Sequence, residues 1–178
     1  MFEADSITEE GKRAIVDLIN KSVLQVEYSF IVNYPRIIDH FTNVYRVFVE
    51  SFRPNLEKLG KDSLRHQNLA MEIIRQLGGK PTWSIDDIDR MNDVRRMLSD
   101  QLEREKTALS AYLEARDIAK QAQVKGLKGM MLIIRSVRHR RGDNEASRSN
   151  MISMFEKLAR DEVGHIRLLE GIMSELRI

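Results

Sequence analysis

Glu27, His66, Glu105, Glu162 and His165 interrupt stretches in which Leu, Ile, Val and Phe otherwise recur every three or four residues. A side chain at such a step faces the same way as its apolar neighbours. Glu27, one turn beyond Val23 and close to Phe30 and Tyr34, cannot turn from a core face without taking those neighbours with it. Burying an unpaired carboxylate is expensive, so buried carboxylates are paired or bound to metal. Several converging at mid-helix point to a shared partner. The spacing Glu162-x-x-His165 sets a carboxylate oxygen and an imidazole nitrogen about one turn apart on one face, where both can meet one ion. Taken alone, such a pair is ordinary and usually solvated, and a lone His66 on an apolar face is more often a satisfied core histidine.

An internal repeat changes that weighting. Glu27 is followed seven residues on by Tyr34, and Glu105 seven residues on by Tyr112. His66 follows the first pair on the next helical stretch, and Glu162 with His165 follows the second. Two antiparallel hairpins related by a pseudo-twofold axis would bring all of these groups to one level. Glu103 competes with Glu105, but it falls off the seam of Leu98, Leu102 and Leu109 and lacks a tyrosine seven residues later.

The elements that must position these groups are long helices. Only 3 Pro and 9 Gly stand among many Leu, Ile, Met, Glu, Lys and Arg in 178 residues, which leaves few turn signals. The first helix is expected over about 7–41, opened by a capping box of Ser6 and Glu9 and kinked near Pro35. The second, over about 45–77, carries Phe48, Phe52, Leu56, Leu59, Ser63, His66, Ala70, Ile73 and Leu77, bends near Pro54, and stops at Gly78-Gly79-Lys80-Pro81. A third, over about 85–120, is expected to start from an N-cap at Ser84 with Asp86 and Asp87 behind it, on a seam of Met91, Val94, Leu98, Leu102, Glu105, Leu109 and Tyr112. The fourth, over about 145–176, shows Met151, Phe155, Leu158, Glu162, His165, Leu169, Ile172 and Leu176. Four apolar stripes bury one another most simply in an all-α, antiparallel four-helix bundle forming one domain over 1–178. The basic connection of about 121–142 is too long for a structureless loop in a compact domain, so part of it is expected to be helical.

Composition narrows the chemistry. The absence of cysteine removes disulfides, Cys-ligated zinc, iron–sulfur clusters and thiol catalysis together, so a metal site must use His, Asp and Glu. With 29 Lys plus Arg against 27 Asp plus Glu, the net charge of +2 gives no whole-molecule attraction to nucleic acid or membrane. No apolar run approaches a membrane span and no signal peptide is visible, so the expected location is the cytoplasm. Four arginines and His139 between Arg135 and Arg141 lack interleaved aromatics for base stacking, so a solvated surface segment is expected rather than a nucleic-acid site.

On these residues the sequence resembles the ferritin-like superfamily, and its rubrerythrin and bacterioferritin branches in particular. The stretch from Glu105 to Tyr112 and the helix end from Gln76 to Pro81 are especially similar to rubrerythrin-like sequences. The resemblance implies a crossover connection in the bundle, and a centre of two ions, iron or manganese, with one Glu from each of two helices and a Glu-x-x-His pair from each of the others. On that pattern Glu27 and Glu105 correspond to terminal carboxylates, Glu162 to a bridging carboxylate, and His66 and His165 to the nitrogen ligands. Tyr34 and Tyr112 correspond to tyrosines that hydrogen-bond beside the ligands. The implied activity is reduction of dioxygen or peroxide, of ferroxidase, peroxidase or hydroxylase type. A homo-oligomer is implied, a dimer in the first instance, and so is a separate electron-donor protein, because whole rubrerythrins use a Cys-ligated electron-transfer domain that this cysteine-free chain lacks.

One position departs from the pattern. Three residues before His66, where the family has Glu, this sequence has Ser63. Three carboxylates leave two divalent cations with a net positive charge and one ion short of a ligand. Three readings stay open: a dinuclear site completed by Asp62 or water, a single ion held mainly by Glu105, Glu162 and His165 with His66 as a further candidate ligand, or a metal-free structural or binding module.

Overall fold

The computed structural model describes residues 7–44, 49–84, 93–130 and 142–177. Helix α1 (Glu9–Ile19) passes without a break through a π-helical turn (Asn20–Leu24) into α2 (Gln25–Val44), and α3 (Val49–Gln76), α4 (Val94–Met130) and α5 (Gly142–Glu175) follow. No strand occurs among the described residues. No helix among them is long and apolar enough to cross a membrane.

Thr8 opens α1, its hydroxyl accepting from the Gly11 N–H at 3.1 Å. The cap expected at Ser6 lies outside the described residues. Ile15, Ile19, Val23 and Glu27 are all fully buried, although steps of four overrun a helical turn. Each step exceeds the 3.6-residue turn by about 0.4 residue, so three steps overrun by roughly one residue. The π turn absorbs that residue and keeps all four side chains on one face. Helix α2 continues through Pro35 and α3 through Pro54.

Helix α3 ends where Gly78 adopts φ +76°, a conformation in which a Cβ would be strained. The Gly78 N–H donates to the Arg75 carbonyl and the Gly79 N–H to the Ile74 carbonyl, both at 2.9 Å, the paired bonds of a Schellman motif. A Cβ on Gly79 would lie 2.7 Å from Val16 Cγ1, so the chain passes α1 only as glycine. The exit from α3 then runs along the first helix: the Asn20 side chain donates to the Lys80 carbonyl at 3.2 Å and accepts from the Thr82 N–H at 2.9 Å. Farther on, Gln25 Oε1 accepts from the Ser84 N–H at 3.0 Å. Ser84, expected as the N-cap of α4, is thus tied to Gln25. Residues 85–92, including Asp86, Asp87 and Met91, lie outside the described residues. The described helix starts at Val94, with Asp93 Oδ1 accepting from the Arg95 N–H at 2.9 Å.

Helices α2 and α3 run antiparallel, as do α4 and α5; α1 and α2 also lie against α4, and α3 against α5. Among the described residues α3 does not touch α4, so the two are diagonal neighbours, and the segment joining them crosses the bundle. The result is an all-α antiparallel four-helix bundle with a crossover. Helix α4 extends to Met130, so the first part of the expected basic connection has a helical backbone, while Arg135 to Arg141 lie outside the described residues. Phe48 lies outside them too.

The core differs from expectation along α4. The buried line passes through Leu98, Gln101, Glu105, Ala108, Ala111, Tyr112, Ala115 and Ala119, with Leu102 and Leu109 only partly buried beside it. Alanines let α4 approach its neighbours closely, and the larger leucines shift to the flank. Trp83, just beyond the end of α3, is 40 % exposed.

Candidate metal centre

Glu27 on α2, His66 on α3, Glu105 on α4 and Glu162 on α5 are completely buried, and His165 is 2 % exposed. The structure therefore gathers all five residues singled out by their spacing into the bundle interior. Glu103 instead projects outward and pairs with Lys106 at 2.7 Å. The two tyrosines cross between hairpins. Tyr34 on α2 donates to Glu105 Oε1 on α4 at 2.8 Å, and Tyr112 on α4 donates to Glu27 Oε1 on α2 at 3.1 Å. This reciprocal exchange is what a twofold relation between the hairpins requires.

The imidazoles occupy the middle. His66 Nδ1 lies 2.8 Å from Glu162 Oε1 and 3.4 Å from Glu27 Oε1. His165 Nδ1 lies 3.2 Å from Glu162 Oε2 and 3.3 Å from Glu105 Oε2. Glu162 thus stands between the two histidines, whose rings stack with centroids 5.4 Å apart. One ligand atom from each of His66, Glu162 and His165 falls within 4.8 Å of the other two, a spacing that suits a shared ion.

The outer nitrogens face a second carboxylate pair. His66 Nε2 lies 3.4 Å from Asp161 Oδ2, and His165 Nε2 lies 3.3 Å from Asp62 Oδ2. Each aspartate precedes its own helix's histidine by four residues but serves the histidine of the other helix. Arg65 spans both aspartates, 2.9 Å from Asp161 and 3.3 Å from Asp62, and Lys58 holds Asp62 at 2.9 Å. Asp62, weighed above as a stand-in for the missing glutamate, is therefore committed to the outer nitrogen of His165 and to two cations. Asp161 was missed by sequence reasoning, although the repeated Asp-x-x-x-His spacing carried the signal. Buried Gln67 and Gln101 were also missed.

Several buried atoms at the centre lack hydrogen-bond partners: Glu27 Oε2, Ser63 Oγ, His66 Nδ1 and Glu162 Oε1. His66 Nδ1 and Glu162 Oε1 are close but misaligned for a hydrogen bond. Buried polar atoms left in this state are exceptional. Carboxylate and imidazole atoms converging in this way fit a cation.

The same environment holds protons tightly. Burial alone would lower His66, but the Glu162 and Glu27 carboxylates outweigh it and push the imidazole up to about 10. His165 behaves alike: burial opposes, and Glu105 and Glu162 push it up to about 11. Burial raises Glu27, with His66 opposing, and burial together with Glu162 raises Glu105, with His165 opposing. Burial, then the neighbouring carboxylates, lift Tyr34 and Tyr112 well above their ordinary value, so both phenols keep the proton they donate.

Comparison with known proteins agrees with this architecture. Residues 21–132 match the family described as ferritin-like domain, and the chain belongs to that family. A crystal structure described as ferritin-like, diiron-carboxylate proteins from Bacillus anthracis strain Ames superposes with a TM-score of 0.67, covering 92 % of this chain and 97 % of that one. At 20 % identity this likeness shows the fold. No match was found among curated proteins.

Proposed function

We propose that this chain is a non-haem di-metal carboxylate protein, loaded with iron or manganese, that reduces dioxygen or peroxide in the manner of rubrerythrins and ferroxidases. The convergence of three buried glutamates and two buried histidines, with unpartnered atoms among them, carries the reading. Three hard carboxylates and two borderline imidazoles match iron or manganese better than soft metals. Glu27 and Glu105 would serve as terminal carboxylates, Glu162 as the carboxylate between the ions, and His66 and His165 as nitrogen ligands. When bound, the ions supply the electrons for reduction of the oxidant.

The chain's own residues prepare that site. Asp161 and Asp62 lie beside Nε2 of His66 and His165, which fixes each ring with Nδ1 facing inward, where it would bind an ion once its proton leaves. Arg65 pairs with the same Asp161 oxygen at 2.9 Å without entering the centre. Tyr34 and Tyr112 each hold one oxygen of Glu105 and of Glu27, so an ion would be met by the second oxygen: Glu27 Oε2, which has no hydrogen-bond partner, and Glu105 Oε2, which lies beside His165 Nδ1. Burial of all five ligands excludes bulk water. Electrons would come from a separate donor protein or from substrate iron.

Ser63 favours a second reading, a ferritin-like structural or binding module with a mononuclear or degenerate site. Expression in iron- and manganese-replete medium, followed by elemental analysis of wild type and Glu162→Ala, separates the two. About two ions per wild-type chain, lost in the variant, are expected for a dinuclear centre and would justify oxygen and peroxide assays. Folded protein without stoichiometric metal would leave the structural module as the better account.

A further inference from the structure

The two halves of the centre are not equally satisfied. On the Glu105 side, both carboxylate oxygens have partners, Tyr34 for Oε1 and His165 for Oε2, and both His165 nitrogens are engaged. On the Glu27 side, the fully buried Glu27 Oε2 and Ser63 Oγ lack a hydrogen-bond partner, and His66 Nδ1 has only its ion-pair contacts with Glu162 at 2.8 Å and Glu27 at 3.4 Å. The deficit sits where the sequence departs from its own repeat. Ser63 precedes His66 by three residues as Glu162 precedes His165, so the two share a place under the pseudo-twofold relation. Serine stops short of glutamate by a fragment the size of formate or acetate. Asp62 cannot fill the place, because His165, Lys58 and Arg65 hold it outside.

Resting on the di-metal reading, we propose that Ser63 opens a binding position for a small exogenous carboxylate, and that the ion on the Glu27 and His66 side binds together with that anion. Charge requires such a partner: Glu27, Glu105 and Glu162 supply three negative charges against two divalent cations. A monoanion at Ser63 restores neutrality, and the buried hydroxyl, with no other acceptor, donates to it. The ion on the Glu105 and His165 side needs no such help, so the sites fill in sequence.

The test is calorimetric titration of manganese(II) into the metal-free full-length protein, in chloride and in acetate at matched ionic strength. The first ion should bind equally in both. The second should bind about tenfold more tightly when acetate stands at about ten times its own dissociation constant. Ser63→Glu should bind two ions with no response to acetate. Second-ion affinity unchanged by acetate in the wild type overturns the proposal, and this holds even where the variant does not fold. An acetate response that persists in folded Ser63→Glu removes Ser63 as the opening. If the wild type binds no manganese in either buffer, the di-metal reading itself fails, and the proposal with it.

Discussion

Tyr112 gives Glu27 its hydrogen bond from a hydroxyl, while the other oxygen of Glu27 has none. Tyr112→Phe would therefore leave a buried carboxyl group without any hydroxyl donor. Loss of such a bond in the interior costs about 1–3 kcal/mol. Urea denaturation of the metal-free protein should show that drop for Tyr112→Phe and a similar one for Tyr34→Phe, whose partner is Glu105. Unchanged midpoints in both would mean that the phenols merely fill space. These pairings were largely legible beforehand, because a Glu and a Tyr seven apart on each of two antiparallel helices come level with one another in only one way. Asp161 was harder to see: a partly exposed acid beside a buried one reads as a solvated face until the opposite helix is in place. Unlike the glutamates, it breaks no apolar seam.

At the scale of elements, helix existence was plain from periodicity, whereas two packing details were not. The seam of α4 was drawn through its largest apolar residues, but Ala108, Ala111, Ala115 and Ala119 lie inside because close helix approach favours small side chains. The π turn left only a faint mark, the repeated step of four from Ile15 to Glu27. It holds one residue more than an α-helix needs to keep those side chains aligned. Deleting exposed Lys21 should let the turn relax to regular α-helix, with Ile15, Ile19, Val23 and Glu27 still on one face. Deleting exposed Lys61 from the regular α3 should instead rotate Leu56 and Leu59 by about 100° relative to His66. Thermal melts followed by circular dichroism should find the Lys21 deletion close to wild type and the Lys61 deletion severely destabilised or unfolded. Equal damage from both would show that the π turn is not a one-residue insertion. The crossover's path was illegible for a different reason: Asn20 grips the backbone of Lys80 and Thr82, and backbone groups are the same in every sequence.

For the whole molecule, the centre joins two hairpins, α1–α2–α3 and α4–α5, whose buried charges oppose one another until protons or ions lie between them. Protons perform that task in the metal-free chain. His66 and His165 rise from 6.5 to about 10 and about 11, so the stability they contribute is complete below 6.5 and is lost as pH climbs through the folded values. Glu27 and Glu105 are raised as well, from 4.5, and act with the same sign. Metal ions replace those protons and require deprotonated ligands, so their affinity grows with pH and loading releases protons. The two forms should therefore diverge. Between about pH 6 and pH 8.5, the melting temperature of chelator-treated protein should fall, while the gap between manganese-loaded and metal-free protein widens. Free metal at 100 times its dissociation constant adds ~2.7 kcal/mol, which for a chain of this size corresponds to roughly 5–10 °C. Scanning calorimetry at three pH values, with and without manganese, measures both slopes at once. A gap that narrows with rising pH would place metal binding outside the proton-holding cluster, and the hairpins would then be joined by packing alone.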